Sequence, residues 1–144
     1  MIESLNITRE NPYVLNYLAY SWLERNYKIE LSMEMLKEAY DLRKNDPYIT
    51  DSLGWGYYLI NDFENAEKYL KKAVELMPYD PIVNDHYGDI LWMLNRKIQA
   101  RYFWNNVLNL EETDDEMKID VKKKIIYGIE TVSYTHLRAH ETSR

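Results

Sequence analysis

At 144 residues and a formal net charge of −6, the chain is long enough for one domain and too acidic to offer the basic face that nucleic-acid phosphates require. It has no cysteine, which excludes disulfides, thiolate metal sites and cysteine nucleophiles. Four glycines and four prolines among many Leu, Ile, Tyr, Glu and Lys favour helices over a sandwich or barrel, and no apolar run approaches the roughly 18 residues of a membrane span.

Three helix starts share one chemistry: Asn11 before Pro12, Asp46 before Pro47 and Asp80 before Pro81. An Asn or Asp cap accepts a bond from an orphan amide, and proline at the first helical position lacks the amide that would be unpaired. About one helix further on stand Asn26, Asn61 and Asn95, which tolerate the left-handed backbone of a helix end and read as tight turns. A second helix follows each turn. In the central copy Phe63, Ala66, Leu70, Ala73, Val74 and Met77 line one face. The last copy places Ile98, Ala100, Trp104, Val107 and Leu108 similarly. The first copy carries one extra residue after Asn26 and then Ser32, Leu36, Ala39 and Leu42 in phase. These patterns predict helices over 12–25, 30–43, 47–60, 63–77, 81–94 and 97–110.

A seventh helix is predicted over 114–128, with Thr113 and Glu116 as a capping box. Its apolar face is Met117, Val121, Ile125 and Gly128, and Lys118, Lys122, Lys123 and Lys124 are expected on the opposite, solvated face. The stretch from Val132 to Thr142 is unlike anything before it and resembles translated sequencing-adapter sequence, so residues 131–144 are expected to be a non-native or disordered tail. On that reading His136 and His140, four apart, are not a metal site.

A period near 34 residues with this layout resembles the tetratricopeptide repeat. The residues that carry the resemblance are Leu53, Gly54, Tyr57, Ala66, Leu70, Ala73 and Pro78 in the central copy. Gly88, Ala100 and Trp104 carry it in the third, and Leu18, Ala19, Trp22, Leu36 and Ala39 in the first. Small residues at Ala19, Gly54 and Gly88 let each first helix approach its partner at Ser32, Ala66 and Ala100. Thr50 and Asn84 depart from the pattern, standing where a bulky apolar residue is usual, and Glu112 replaces a closing proline. The resemblance implies an all-α, right-handed α-solenoid of three helix-turn-helix repeats (12–46, 47–80 and 81–112) plus a C-terminal capping helix over 113–130. Residues 1–11 are expected to be a lead-in, truncated at its start, with more repeats before Met1, as in bacterial arrays where such units form the C-terminal segment.

No P-loop, dinucleotide fingerprint, nucleophile elbow or zinc-protease motif occurs. The cluster Asp85, His86 and Asp89 could in principle bind a metal or move a proton, but a helix-start or groove role is the simpler reading. The expectation is therefore a non-enzyme without cofactor or metal. In tetratricopeptide arrays the first helices line a concave groove, so the resemblance implies a peptide-binding face at Asn16, Tyr17, Tyr20, Asp51, Ser52, Trp55, Asp85, His86 and Asp89. Tyr13, Leu23, Tyr48, Tyr58, Ile82 and Trp92 are expected beside them. The side chains with which chaperone-binding repeats clamp a C-terminal carboxylate are absent here, Asn16 excepted: Tyr20, Ser52, Ile82 and His86 stand at the other places. An acidic, aromatic groove favours a cationic or aromatic protein or peptide segment. The other role considered is structural, as the end of a longer solenoid that stabilises the array or mediates self-association. Neither nucleic acid nor membrane insertion is expected, and the oligomeric state is left open. A cytoplasmic location follows only if Met1 is the true start; with more chain before it, a periplasmic or membrane-associated one follows equally.

Overall fold

The computed structural model describes the backbone of residues 11–142 and the side chains of residues 11–129. Seven α-helices and no strands occur among them. They are α1 (Pro12–Glu24), α2 (Ile29–Leu42), α3 (Pro47–Leu59), α4 (Phe63–Leu76), α5 (Pro81–Met93), α6 (Lys97–Asn109) and α7 (Asp115–Thr142). The helices fall into two compact units divided between Pro78 and Tyr79.

The caps behave as the dipeptides predict. Asn11 Oδ1 accepts from the amides of Tyr13 and Val14, Asp46 Oδ1 from Ile49, and Asp80 Oδ2 from Val83, at 2.9–3.3 Å. The turns are equally uniform. Asn26, Asn61 and Asn95 have φ of 55°, 65° and 63°. The amide following each first helix returns to a carbonyl five residues back: Tyr27 to Trp22, Asp62 to Tyr57 and Arg96 to Leu91, at 2.8–2.9 Å. This is the closing bond of a left-handed helix terminus. The extra residue of the first copy is absorbed by Lys28, which also takes a left-handed conformation (φ 45°).

In the first unit α1 lies against α2 and α3, and α3 against α2 and α4. Leu15, Ala19, Leu36, Ala39, Ile49 and Leu53 form its centre, all essentially inaccessible to water. Gly54 is where α3 meets α4: a Cβ there would lie 2.7 Å from Leu70 Cγ and 2.9 Å from the Leu70 amide nitrogen. In the second unit Gly88 admits the Trp104 ring in the same way, and Val83, Ile90, Leu91, Trp104, Val107 and Val121 are buried.

Two departures from the repeat pattern have a local explanation. Thr50 Oγ1 donates to the Asp46 carbonyl at 2.7 Å, and Asn84 Nδ2 donates to the Asp80 carbonyl at 2.8 Å. Both residues are buried, at the same register, and each satisfies its donor on the cap of its own helix. Leu15 fills that place in α1.

The start of α7 differs from expectation. Asp114, not Thr113, is the cap, accepting from the Met117 amide at 2.8 Å. Thr113 turns inward and donates to the Val107 carbonyl at 2.6 Å. The helix is interrupted at Gly128, whose backbone (φ 76°, ψ 176°) is one that side chains other than glycine rarely adopt. A Cβ at Gly128 would also collide with the Trp92 ring. The carbonyl of Ile125, one turn earlier, accepts instead from Arg101 Nε at 3.1 Å. The sequence readings of His136 and His140 lie outside the described side chains.

Candidate functional site: a tyrosine-lined face on the first unit

Because α1 and α3 begin with the same cap and proline, their residues fall in register. Tyr13, Asn16, Tyr17 and Tyr20 of α1 correspond to Tyr48, Asp51, Ser52 and Trp55 of α3, spaced three, one and three apart on one face of each helix. The two helices are neighbours. The outermost side chains are Tyr17, Tyr48 and Tyr13, at 77 %, 58 % and 52 % exposure. Asn16, Tyr20 and Trp55 are half-buried, and Asp51 and Ser52 are buried beneath them. Asn16 Oδ1 is enclosed and has no hydrogen-bond partner among the described residues. Trp55 stacks on Tyr58 with ring centroids 4.4 Å apart and 9° between planes, so its ring is braced by its own helix.

The floor of this face is electronegative. The Tyr20 hydroxyl hydrogen-bonds Glu24, and Asp51 lies close enough to act on it. Burial, that hydrogen bond and the two carboxylate charges together hold its pKa well above the ordinary tyrosine range. Leu23, expected on the face, is instead buried in the core.

The corresponding face of α5 is occupied by the chain itself. Lys124, expected on the solvated side of α7, points inward. Its Nζ lies 2.9 Å from Asp85 Oδ1, and 2.9 and 3.1 Å from the two Asp89 oxygens. Trp104 Nε1 donates to Asp89 Oδ1 at 3.1 Å. The helical wheel accounts for the inward turn: residue 124 follows Val121 by three and Met117 by seven, at the edge of the apolar stripe. Burial pushes the Asp89 carboxyl up to about 6, with the charge of Asp85 adding and Lys124 and His86 opposing. Burial lowers Lys124, but Asp89 and Asp85 outweigh it and hold the ammonium above its usual range. Asp85 and Asp89 are therefore anchors for α7 rather than open surface. His86 is buried between them in sequence. Among the described residues no three acidic or histidine side chains are arranged to hold a metal ion.

A cavity of about 480 Å³ lies beside this ion cluster, lined by Asp85 and by Met117, Asp120, Lys123 and Lys124 of α7 among others. Trp92, also expected on the face, is buried with the Lys97 ammonium and the Arg101 guanidinium over its ring at 4.8 and 5.1 Å. Lys124 and Glu24 are the residues that sequence reasoning missed. Two carboxylates one turn apart on α5 were the available signal for Lys124, since a buried pair of that kind calls for a counter-charge. Among the described residues no helix is long and apolar enough to cross a membrane.

No protein-family model matches the chain. A stretch of 61 residues is 34 % identical to TPR repeat-containing protein PA4667 of Pseudomonas aeruginosa, covering 42 % of this chain and 10 % of that protein. The match thus spans about a tenth of the curated relative's length. Among solved structures, TTC0263, a TPR protein of Thermus thermophilus, superposes with a TM-score of 0.70 at 17 % identity, over 84 % of this chain and 69 % of that one. The first TPR domain of Spaghetti (RPAP3), bound to the HSP90 peptide SRMEEVD, superposes with a TM-score of 0.67 at 18 % identity, over 79 % and 90 %. The fold is that of tetratricopeptide repeat domains: all-α and built of repeated helical hairpins.

Proposed function

We propose that the chain is a non-enzymatic protein-interaction module, and that it binds a partner segment on the face formed by α1 and α3. The observation that carries this reading is the tyrosine set. Tyr13, Tyr17 and Tyr48 project from adjacent helices in register and are more than half exposed. Tyrosine brings large contact area at low conformational cost, which suits a binding surface and is wasted on a solvated one. The likeness in fold to a repeat domain bound to a peptide supports the same role. The set Asn16, Tyr17, Tyr20, Asp51, Ser52 and Trp55 is the part of the expected site retained here; Asp85 and Asp89 are assigned to holding α7, and His86 is buried on α5.

The test must use side chains whose loss leaves the core intact. Tyr17→Ala and Tyr48→Ala meet that requirement, whereas charge reversal strikes a buried group at Asp51 and the Lys124 ion pair at Asp85. A peptide array is probed with wild type and both variants, with thermal unfolding as the control. Signals that weaken in the variants at unchanged melting temperature support the reading. Signals indifferent to both substitutions defeat it.

A second reading, a structural segment of a larger array, is favoured by the outer side of α7, where Ile119, Ile126 and Tyr127 are exposed. Concentration-dependent sedimentation that disappears in an Ile119→Ser/Ile126→Ser variant would support it.

A further inference from the structure

We propose that the partner of the tyrosine face is an extended, proline-rich segment carrying Lys or Arg, bound as a polyproline II helix. The proposal rests on the reading of this face as an interaction surface and adds the conformation and charge of what it takes.

The first argument is the backbone. Around this face the helical amides and carbonyls are paired within their own helices or caps, and no strand edge exists among the described residues. A partner cannot be held by main-chain pairing and must be gripped by side chains alone. Two ligand conformations satisfy their own backbone needs in that situation: an α-helix, and a polyproline II segment, whose carbonyls remain solvated. The composition of the face separates them. A docking helix buries an apolar ridge, and here that ridge would lie over Asn16, Asp51 and Ser52. Covering such a floor with aliphatic side chains costs free energy without return. A polyproline segment instead stacks flat pyrrolidine rings on aromatic walls and offers free carbonyls to tyrosine hydroxyls.

Spacing agrees. A polyproline II helix repeats every three residues, roughly 9 Å. Neighbouring helix axes stand about 8–10 Å apart, so Tyr48 of α3 is separated from the tyrosine row of α1 by about one turn of such a ligand. Tyr13 and Tyr48, at the same register, would grip prolines three residues apart, with Tyr17 one helical turn along from Tyr13.

Charge supplies the third argument. The exposed Glu24 and the buried Asp51 flank Tyr20, and the chain carries a net charge of −6. Opposite charge on the ligand steers association and fixes its direction, and a guanidinium also stacks on a tyrosine ring.

The experiment titrates the full chain with three fluorescein-labelled peptides of equal length: repeats of Pro-Pro-Arg, repeats of Pro-Pro-Glu, and a helix-forming peptide of Leu, Ala and Lys. The expected result is saturable binding of the Pro-Pro-Arg peptide at least tenfold tighter than either other probe. Tyr17→Ala and Tyr48→Ala each weaken it about tenfold, Glu24→Lys weakens it further in low salt, and Tyr79→Ala, a highly exposed tyrosine outside the face, leaves it unchanged. Equal or tighter binding of the helical peptide, sensitive to Tyr17→Ala, overturns the polyproline assignment and leaves the interaction module standing. Pro-Pro-Arg binding that ignores both tyrosine substitutions is charge attraction alone and overturns the assignment. Failure of all three probes, together with an array insensitive to the same variants, overturns both.

Discussion

Lys124 shows how far one side chain can depend on its surroundings. The contacts at 2.9–3.1 Å offset only part of the cost of burying the Asp89 carboxylate, whose pKa stays raised at about 6, whereas for the Lys124 ammonium the two carboxylates outweigh burial. The sign of the pH dependence follows. Folded Asp89 holds its proton more tightly than an unfolded aspartate, so this group's contribution falls as pH rises from about 4 to about 6. The raised pKa of Lys124 works the other way: its stabilisation is present below the ordinary lysine value and is lost at higher pH. Lys124→Ala leaves Asp89 buried beside Asp85 without the ammonium that faces both carboxylates. It should destabilise the protein by about 3 kcal/mol at pH 7, and by much less near pH 4, where Asp89 is protonated. Lys122→Ala, on the exposed side of the same helix, should stay within about 0.5 kcal/mol. Urea unfolding at the two pH values checks both. An equal loss at pH 4 and pH 7 would show that Lys124 acts through its methylenes and not its charge.

At the scale of the element, legibility tracks sequence distance. The caps at Asn11, Asp46 and Asp80 and the turns at Asn26, Asn61 and Asn95 are decided by two or three neighbouring residues, and all six stand where the dipeptides and spacing put them. Asn61→Ala should therefore cost about 1–2 kcal/mol, the penalty of a Cβ-bearing side chain without local bonding in a left-handed position, and Asn61→Gly should cost nothing. Thermal or urea denaturation of the two variants gives the comparison, and a neutral Asn61→Ala would mean the turn relaxes. What could not be read locally is what another helix brings. The Glu116 that follows Thr113 by three makes Thr113 the expected cap, but the Val107 carbonyl claims its hydroxyl and Asp114 caps instead. Gly128 looked like one more small residue on the apolar face; its role is set by Trp92, 36 positions earlier, and by a backbone break. Gly128→Ala meets both the ring and the positive φ. It should cost more than 2 kcal/mol and expose Trp92, seen as a red shift in tryptophan emission.

For the whole molecule, the two compact units set what a core lesion can reach. Trp104 packs with Gly88, Asp89, Trp92 and Lys124, all within the second unit, whereas Leu36 packs beside Gly56 in the first. Repeat proteins add their stability from local cores and nearest-neighbour terms, so damage need not spread evenly. Trp104→Ala removes a side chain with no exposed surface and should cost about 3–5 kcal/mol. Under native conditions its amide protection should fall first in α5, α6 and α7, with α1–α4 holding longer. Leu36→Ala should produce the reverse pattern at about 2–5 kcal/mol. Hydrogen exchange read peptide by peptide distinguishes the cases. If either lesion lowers protection by the same amount in both units, the chain unfolds as one cooperative body. If the patterns are reciprocal, the tyrosine face, whose named side chains all lie on α1 and α3 of the first unit, should keep its binding in the Trp104→Ala variant.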